Sequence, residues 1–242
     1  MKKTVIVTGA SRGIGRAIAL KLASDFNVVI NYNKSEDKAN EVLNEILKNG
    51  GDAATFKADV SDFNQAKALC DFAIKKFGTV DVVVNNAGIA EQKVFCDITE
   101  DDFENMMRTN VGSVFNMSKA VMSEFLRKKE GKIINISSVW GICGASCEVH
   151  YSTSKSAIIG FTKALAKELA PSNIFVNCIA PGVVDTDMCT FDDETKNMLK
   201  EEIPVGKIAS PFEIANTVKF LASDEASYIT GEVINVSGGF VI

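Results

Sequence analysis

Residues 5–19 read VIVTGASRGIGRAIA. An apolar, β-branched run ends in Thr8-Gly9, and three glycines (Gly9, Gly13, Gly15) precede an amphipathic stretch. That order reads as strand, tight turn, helix. Glycines in such a turn let backbone amides approach a pyrophosphate closely, and the helix N-terminus stabilises its charge. Glycines at strand–helix turns also serve packing alone. The position of this turn, first in the chain with an apolar run before it, favours a nucleotide.

Working outward, the pattern repeats. Strands are predicted at 4–8 (TVIVT), 27–32 (NVVINY), 53–58 (AATFKA), 81–86 (DVVVNN), 132–138 (KIINISS), 174–180 (IFVNCIA) and 232–237 (EVINVS). Helices are predicted over 13–24, 36–49, 62–77, 102–128, 152–170 and 211–222. Continuous apolar runs such as VVV fit strands buried on both faces. Strand–helix alternation of this length implies an α/β fold, a doubly wound parallel sheet of the Rossmann type. The 242 residues fit one such domain, 1–242. The irregular stretch 181–210 is predicted to be a substrate lid.

Composition narrows the function. Hydrophobic residues make up 46% and charged residues 24%, which suits a globular chain. A net charge of −5 argues against nucleic acid and anionic membrane as partners. The N-terminus carries no signal-peptide pattern and no apolar run approaches a membrane span, so the cytoplasm is the expected location. The six cysteines form no CxxC pair and read as incidental reduced thiols.

Residues 145–155, ASCEVHYSTSK, concentrate reactive groups, including the only histidine. A Cys147/His150 dyad lacks an evident orienting group and oxyanion hole, and one histidine with a CxxxC pair falls short of a metal ligand set, so no metal is expected. Tyr151 and Lys155 stand four apart and share a helix face. A phenol with pKa near 10 is a poor proton donor at neutral pH unless a nearby ammonium stabilises its phenolate. A common surface pair of Tyr and Lys would look the same.

The glycine spacing G-x-x-x-G-x-G, NNAG at 85–88, Asn110 in RTNVGSVF, Ser137-Ser138, Tyr151-x-x-x-Lys155 and Pro181-Gly182 resemble, in order and spacing, the short-chain dehydrogenase/reductase family. The resemblance covers the whole chain. It implies a catalytic set of Asn110, Ser138, Tyr151 and Lys155. It implies cofactor contacts from Gly9, Ser11, Arg12, Gly13, Ile14 and Gly15, and from Asn31, Asn33 and Lys34 after the second strand. Further contacts are implied from Asp59 and Val60, from Asn86, Ala87 and Gly88, from Tyr151 and Lys155, and from Pro181, Gly182, Val184 and Thr186. An acid after the second strand would repel a 2′-phosphate; residues 30–35, INYNKS, have none, and Arg12 and Lys34 add positive charge. NADPH is therefore the expected cofactor. A sensor that binds NADP without catalysis usually loses Tyr or Lys, and both are present.

Within the family, TGASRGIGRAIA, KIINISSV, GFTKALAKELA and SDEASYITGEVINVSGGF look like bacterial 3-oxoacyl-acyl-carrier-protein reductases, which are usually homotetramers. That likeness implies fatty acid biosynthesis, acyl carrier protein as partner, and pairing through helices 102–128 and 152–170. Three places depart from it: IAEQ at 89–92, GASCEVHY at 144–151, and PSN at 171–173, where a carrier-docking arginine is usual. Arg127, Lys128 and Lys129 offer a substitute basic patch. SSVWGICGASCEVHYSTSK also looks like reductases of a 5-aminopentanone group on a lysine of elongation factor P. An amine substrate would give Glu91 and Glu148 a purpose beside the pocket, with Trp140 as a third substrate contact.

Overall fold

The structure is a computed structural model that describes residues 2–186 and 192–242. Seven parallel strands form one sheet in the order β3-β2-β1-β4-β5-β6-β7. They are β1 (Lys3–Val7), β2 (Phe26–Tyr32), β3 (Ala53–Lys57), β4 (Val82–Asn85), β5 (Gly131–Ile136), β6 (Ile174–Pro181) and β7 (Val233–Val236). The predicted doubly wound sheet is therefore present, with every predicted strand within two residues of its observed bounds at either end. Helices α1 (Gly13–Leu22), α2 (Glu36–Lys48) and α3 (Phe63–Phe77) follow the first three strands.

The strands lie between two apolar layers. Val5, Val7, Val28, Ile30, Val82 and Val84 face one layer with Ile18 and Leu22 of α1. Ile6, Val29 and Val83 face the other with Leu69 of α3. Alternate residues of one strand thus feed opposite cores, which is why the runs are continuously apolar. One polar ladder crosses this interior. Asn85 Nδ2 donates to Asn135 Oδ1 at 2.9 Å, and Asn135 Nδ2 donates to Thr162 Oγ1 at 2.9 Å. Asn85 and Asn135 are register partners of β4 and β5.

Two helix predictions and one loop prediction need correction. The helix predicted over 102–128 is three pieces: α4 (Glu100–Met107), a π-turn (Arg108–Gly112) and α5 (Ser113–Lys128). The Thr99–Asp102 capping box starts α4 earlier than its apolar pattern suggests. A short α6 (Trp140–Cys143) precedes α7 (Val149–Leu169), which starts before the predicted residue 152, so Tyr151 stands in its first turn. The stretch 181–210 is not wholly irregular. It contains α8 (Asp193–Glu202), capped by Asp192, and Val184 bridges to Ala209. Its residues 187–191 lie outside the described residues. The last helix, α9 (Pro211–Ala222), matches its prediction. Among the described residues no helix is long and apolar enough to cross a membrane.

Candidate active site

β1 pairs with both β2 and β4, so the chain direction across the sheet reverses there. Open parallel sheets bind ligands at the carboxyl ends of strands beside such a reversal. A cavity of about 540 Å³ occupies that place.

At one end of the cavity, Gly9 and Gly13 adopt φ 61 and φ 54, open to glycine at little strain. A Cβ on Gly15 would sit 2.4 Å from the Gly9 carbonyl oxygen, so no side chain fits there. Asn86 Nδ2 donates to Thr8 O (2.9 Å) and Gly9 O (3.2 Å), fastening the 85–88 turn to the glycine turn. The first turn of α1 has no acidic residue and no side-chain cap, leaving amide donors for an anion. The cradle fits a dinucleotide pyrophosphate. Asn31, Asn33 and Lys34 line the next stretch, with Arg12 across from them in the glycine turn. Asn31 is already engaged: its amide nitrogen donates to Ala58 O at 3.0 Å and its oxygen accepts from Gly9 N at 3.3 Å. It shapes the wall.

Asp59 and Val60 line the cavity after β3. Burial raises the Asp59 carboxyl, but hydrogen bonds from Ser61, the Arg108 guanidinium and a bond from Asn33 outweigh it and hold the group below its ordinary value. Arg108 Nη1 donates to Ser61 Oγ at 2.8 Å, and Ser61 Oγ donates to Asp59 Oδ1 at 2.7 Å. Arg108, Asn105, Thr109 and Ser113 also line the cavity and were missed in the sequence. Arg108 and Thr109 belong to the π-turn and Asn105 and Ser113 flank it; such a turn frequently marks functional sites but leaves no composition pattern.

At the other end, Ser138, Tyr151 and Lys155 line the cavity with Gly88, Pro181, Gly182, Val184 and Thr186. Lys155 is 5% exposed, its Nζ donates to Ile136 O at 3.0 Å and lies 5.6 Å from the Tyr151 ring centroid. Burial pushes its ammonium down to about 8. Asn110 sits beside the cavity, fully buried. Its oxygen accepts from Ile89 N (2.8 Å) and its nitrogen donates to Ile89 O (2.9 Å) and Ser154 Oγ (3.0 Å). The π-turn thus presents Arg108 toward Asp59 and Asn110 toward Ile89.

The three residues expected to contact substrate have protein partners outside the cavity. Glu91 Oε2 lies 3.2 Å from His150 Nε2, Glu148 Oε1 accepts from Gln92 Nε2 at 3.3 Å, and Trp140 stacks edge-on against Phe240 at 5.7 Å. None of the three lines the cavity. The basic patch is likewise engaged: Arg127 Nη2 donates to Glu124 Oε1 at 2.8 Å, and Lys128 pairs with Asp81. Both sit just before β5 begins, at the end of the sheet opposite the cavity.

The family model of the short chain dehydrogenases matches residues 3–197. The chain belongs to the short-chain dehydrogenase family. It is an oxidoreductase, and the cofactor class is nicotinamide. It is similar to a 3-oxoacyl-[acyl-carrier-protein] reductase of Staphylococcus aureus, 43% identical over 241 residues, covering 99% of this chain and 98% of the relative. The reductase of the same name in Aquifex aeolicus is 43% identical over 239 residues (98% and 96%). That of Synechocystis is 42% identical over 246 residues (99% and 97%).

Proposed function

We propose that this short-chain dehydrogenase is an NADPH-dependent ketoreductase that converts a 3-oxoacyl thioester on acyl carrier protein to the 3-hydroxyacyl form. The observation that carries the reading is the convergence of Ser138, Tyr151 and Lys155 at one end of a cavity whose other end is a glycine cradle. A nicotinamide cofactor, held by the glycine turn and by Lys155, would supply the hydride for the carbonyl carbon. Ser138 holds the carbonyl oxygen, and the Tyr151 phenol gives that oxygen its proton. The Lys155 ammonium stabilises the phenolate left behind, and its burial concentrates that effect. Asn110 fixes the Ile89 segment beside it. Lys34 and Arg12, with no acid after β2, support NADPH over NADH.

The similarity to acyl reductases over nearly the full chain supports the thioester. Glu91 and Glu148 meet His150 and Gln92 and do not line the cavity, and the amine of modified elongation factor P is kept as the rival reading. We place the enzyme in the cytoplasm as a homotetramer. Exposed Phe103 on α4 and Phe115 on α5 (43% and 53%) support pairing through these helices. The stretch 181–210 is the proposed substrate lid.

The test is NADPH oxidation with acetoacetyl-CoA. Turnover that is lost in Tyr151→Phe with NADPH binding retained supports the assignment; unchanged turnover sinks it. Intact mass of elongation factor P from a deletion strain decides the rival: an unreduced ketone there would replace the thioester reading.

A further inference from the structure

The helix that carries Tyr151 starts from a turn with an unfavourable backbone. Cys147 has φ 60, a left-handed conformation that disfavours side chains. Glu148 follows with φ −133 and ψ 35 and makes no side-chain cap to α7. Val149, the first helical residue, is exposed, and the turn's own bonds are Glu148 N to Ala145 O at 3.4 Å and Ala145 N to Ser152 Oγ at 3.1 Å.

Three contacts from residues 91–93 hold it. Lys93 N donates to Cys147 O at 2.7 Å, Gln92 Nε2 donates to Glu148 Oε1 at 3.3 Å, and His150 Nε2 meets Glu91 Oε2 at 3.2 Å. The third is the one that reaches inside. His150 is 1% exposed, and its Nδ1 is buried with no hydrogen bond among the described residues. A carboxylate only accepts, so Nε2 carries the hydrogen, and among the described residues the Glu91 contact is the ring's one polar tie. Leaving Nδ1 unpaired is unfavourable, and the ring is buried all the same. The segment it ties down continues from Gly88 and Ile89, which line the cavity, and Asn110 grips Ile89 from the other side. Both walls that flank Tyr151 are thereby joined at one point.

We propose that His150 and Glu91 are positioning residues: their bond closes a clasp between the 91–93 segment and the strained turn at Cys147, and so fixes where Tyr151 stands. The proposal rests on the reading of Tyr151 as proton donor. Residue 150 touches no reacting atom; it acts through its neighbour in the chain.

The test compares wild type with Glu91→Ala, Glu91→Gln and His150→Phe. Measured are kcat and KM for acetoacetyl-CoA, NADPH affinity by fluorescence titration, and the urea midpoint. Glu91→Ala is expected to lower kcat on the order of tenfold or more, since small misplacements of reacting groups have effects of that size. NADPH affinity stays near wild type, while the urea midpoint falls modestly, because the buried His150 Nε2–H loses its acceptor. Glu91→Gln restores most of the rate, its side-chain oxygen accepting the same Nε2–H. His150→Phe fills the buried space without the bond and matches Glu91→Ala. Unchanged kcat in Glu91→Ala overturns the proposal, as does a loss in Glu91→Gln equal to that in Glu91→Ala, or a kcat loss that only tracks unfolding. Tyr151→Phe, assayed alongside, tests the donor assignment separately: if it keeps its turnover, that assignment fails whatever the clasp variants do.

Discussion

Replacing Lys155 with methionine should make the protein more stable and inactive. Lys155 is 5% exposed and its ammonium donates to the Ile136 carbonyl. Burial lowers its ammonium from 10.5 to about 8. At about 1.4 kcal/mol per unit, the folded chain at pH 7 holds this charge at a cost on the order of 3 kcal/mol. Methionine removes the charge and keeps the buried stem, while leaving the Ile136 carbonyl unpaired at about 1 kcal/mol or more. The net gain at pH 7 is therefore about 1–2 kcal/mol. The pH dependence has a definite sign. Below pH 8 both folded and unfolded wild type are protonated, and the penalty is full. Between 8 and 10.5 the unfolded chain binds a proton that the folded chain does not, so wild-type stability rises relative to the variant. From pH 7 to pH 9.5 the gap should close by about 2 kcal/mol. Urea unfolding followed by the single tryptophan, Trp140, measures it at both pH values. A gap that is the same at pH 7 and pH 9.5 would refute the claim that Lys155 is a buried, strained charge.

Lys34→Asp should weaken NADPH by about tenfold or more while sparing NADH, as loss of a charged hydrogen bond predicts; equal effects on both would remove Lys34 from the 2′-phosphate site. Arg108→Ala should weaken NADPH and NADH alike, by about fivefold, because it frees Ser61 and Asp59 rather than a phosphate; fluorescence titration with both cofactors checks this, and a loss confined to NADPH would contradict it. Gly15→Ala forces a Cβ to 2.4 Å from Gly9 O, so it should abolish NADPH binding and lower the urea midpoint; binding at wild-type strength would show that the glycine turn can open.

How much of this was readable beforehand depended on whether a residue's role was local. Val5–Val7 and Val82–Val84 announced a sheet covered on both sides, because strands buried on both faces have no polar alternation to blur them. Ser138, Tyr151 and Lys155 fall at strand and helix ends that the sequence order already locates. α8 escaped notice because none of its residues is buried, and a helix without a buried face leaves no apolar period. The Asp192-Asp193-Glu194 start was its one legible mark. The π-turn left none. The contacts of Glu91 and Glu148 were not legible because their partners His150 and Gln92 are 59 and 56 residues away in the chain. Only the folded arrangement reveals such pairings.

The ladder of Asn85, Asn135 and Thr162 has a bearing beyond its hydrogen bonds. Strands built of near-identical valines and isoleucines could slide past one another by two residues and still bury apolar groups against apolar groups. Such a slip would carry one strand about 6.6 Å along its neighbour. It would also strand two amides in the hydrocarbon interior, which makes the misaligned sheet the poorer state. The polar ladder is thus a ruler. It sets how far β4 and β5 project at their carboxyl ends, and with that the separation between Gly88 and Ser138 across the cleft.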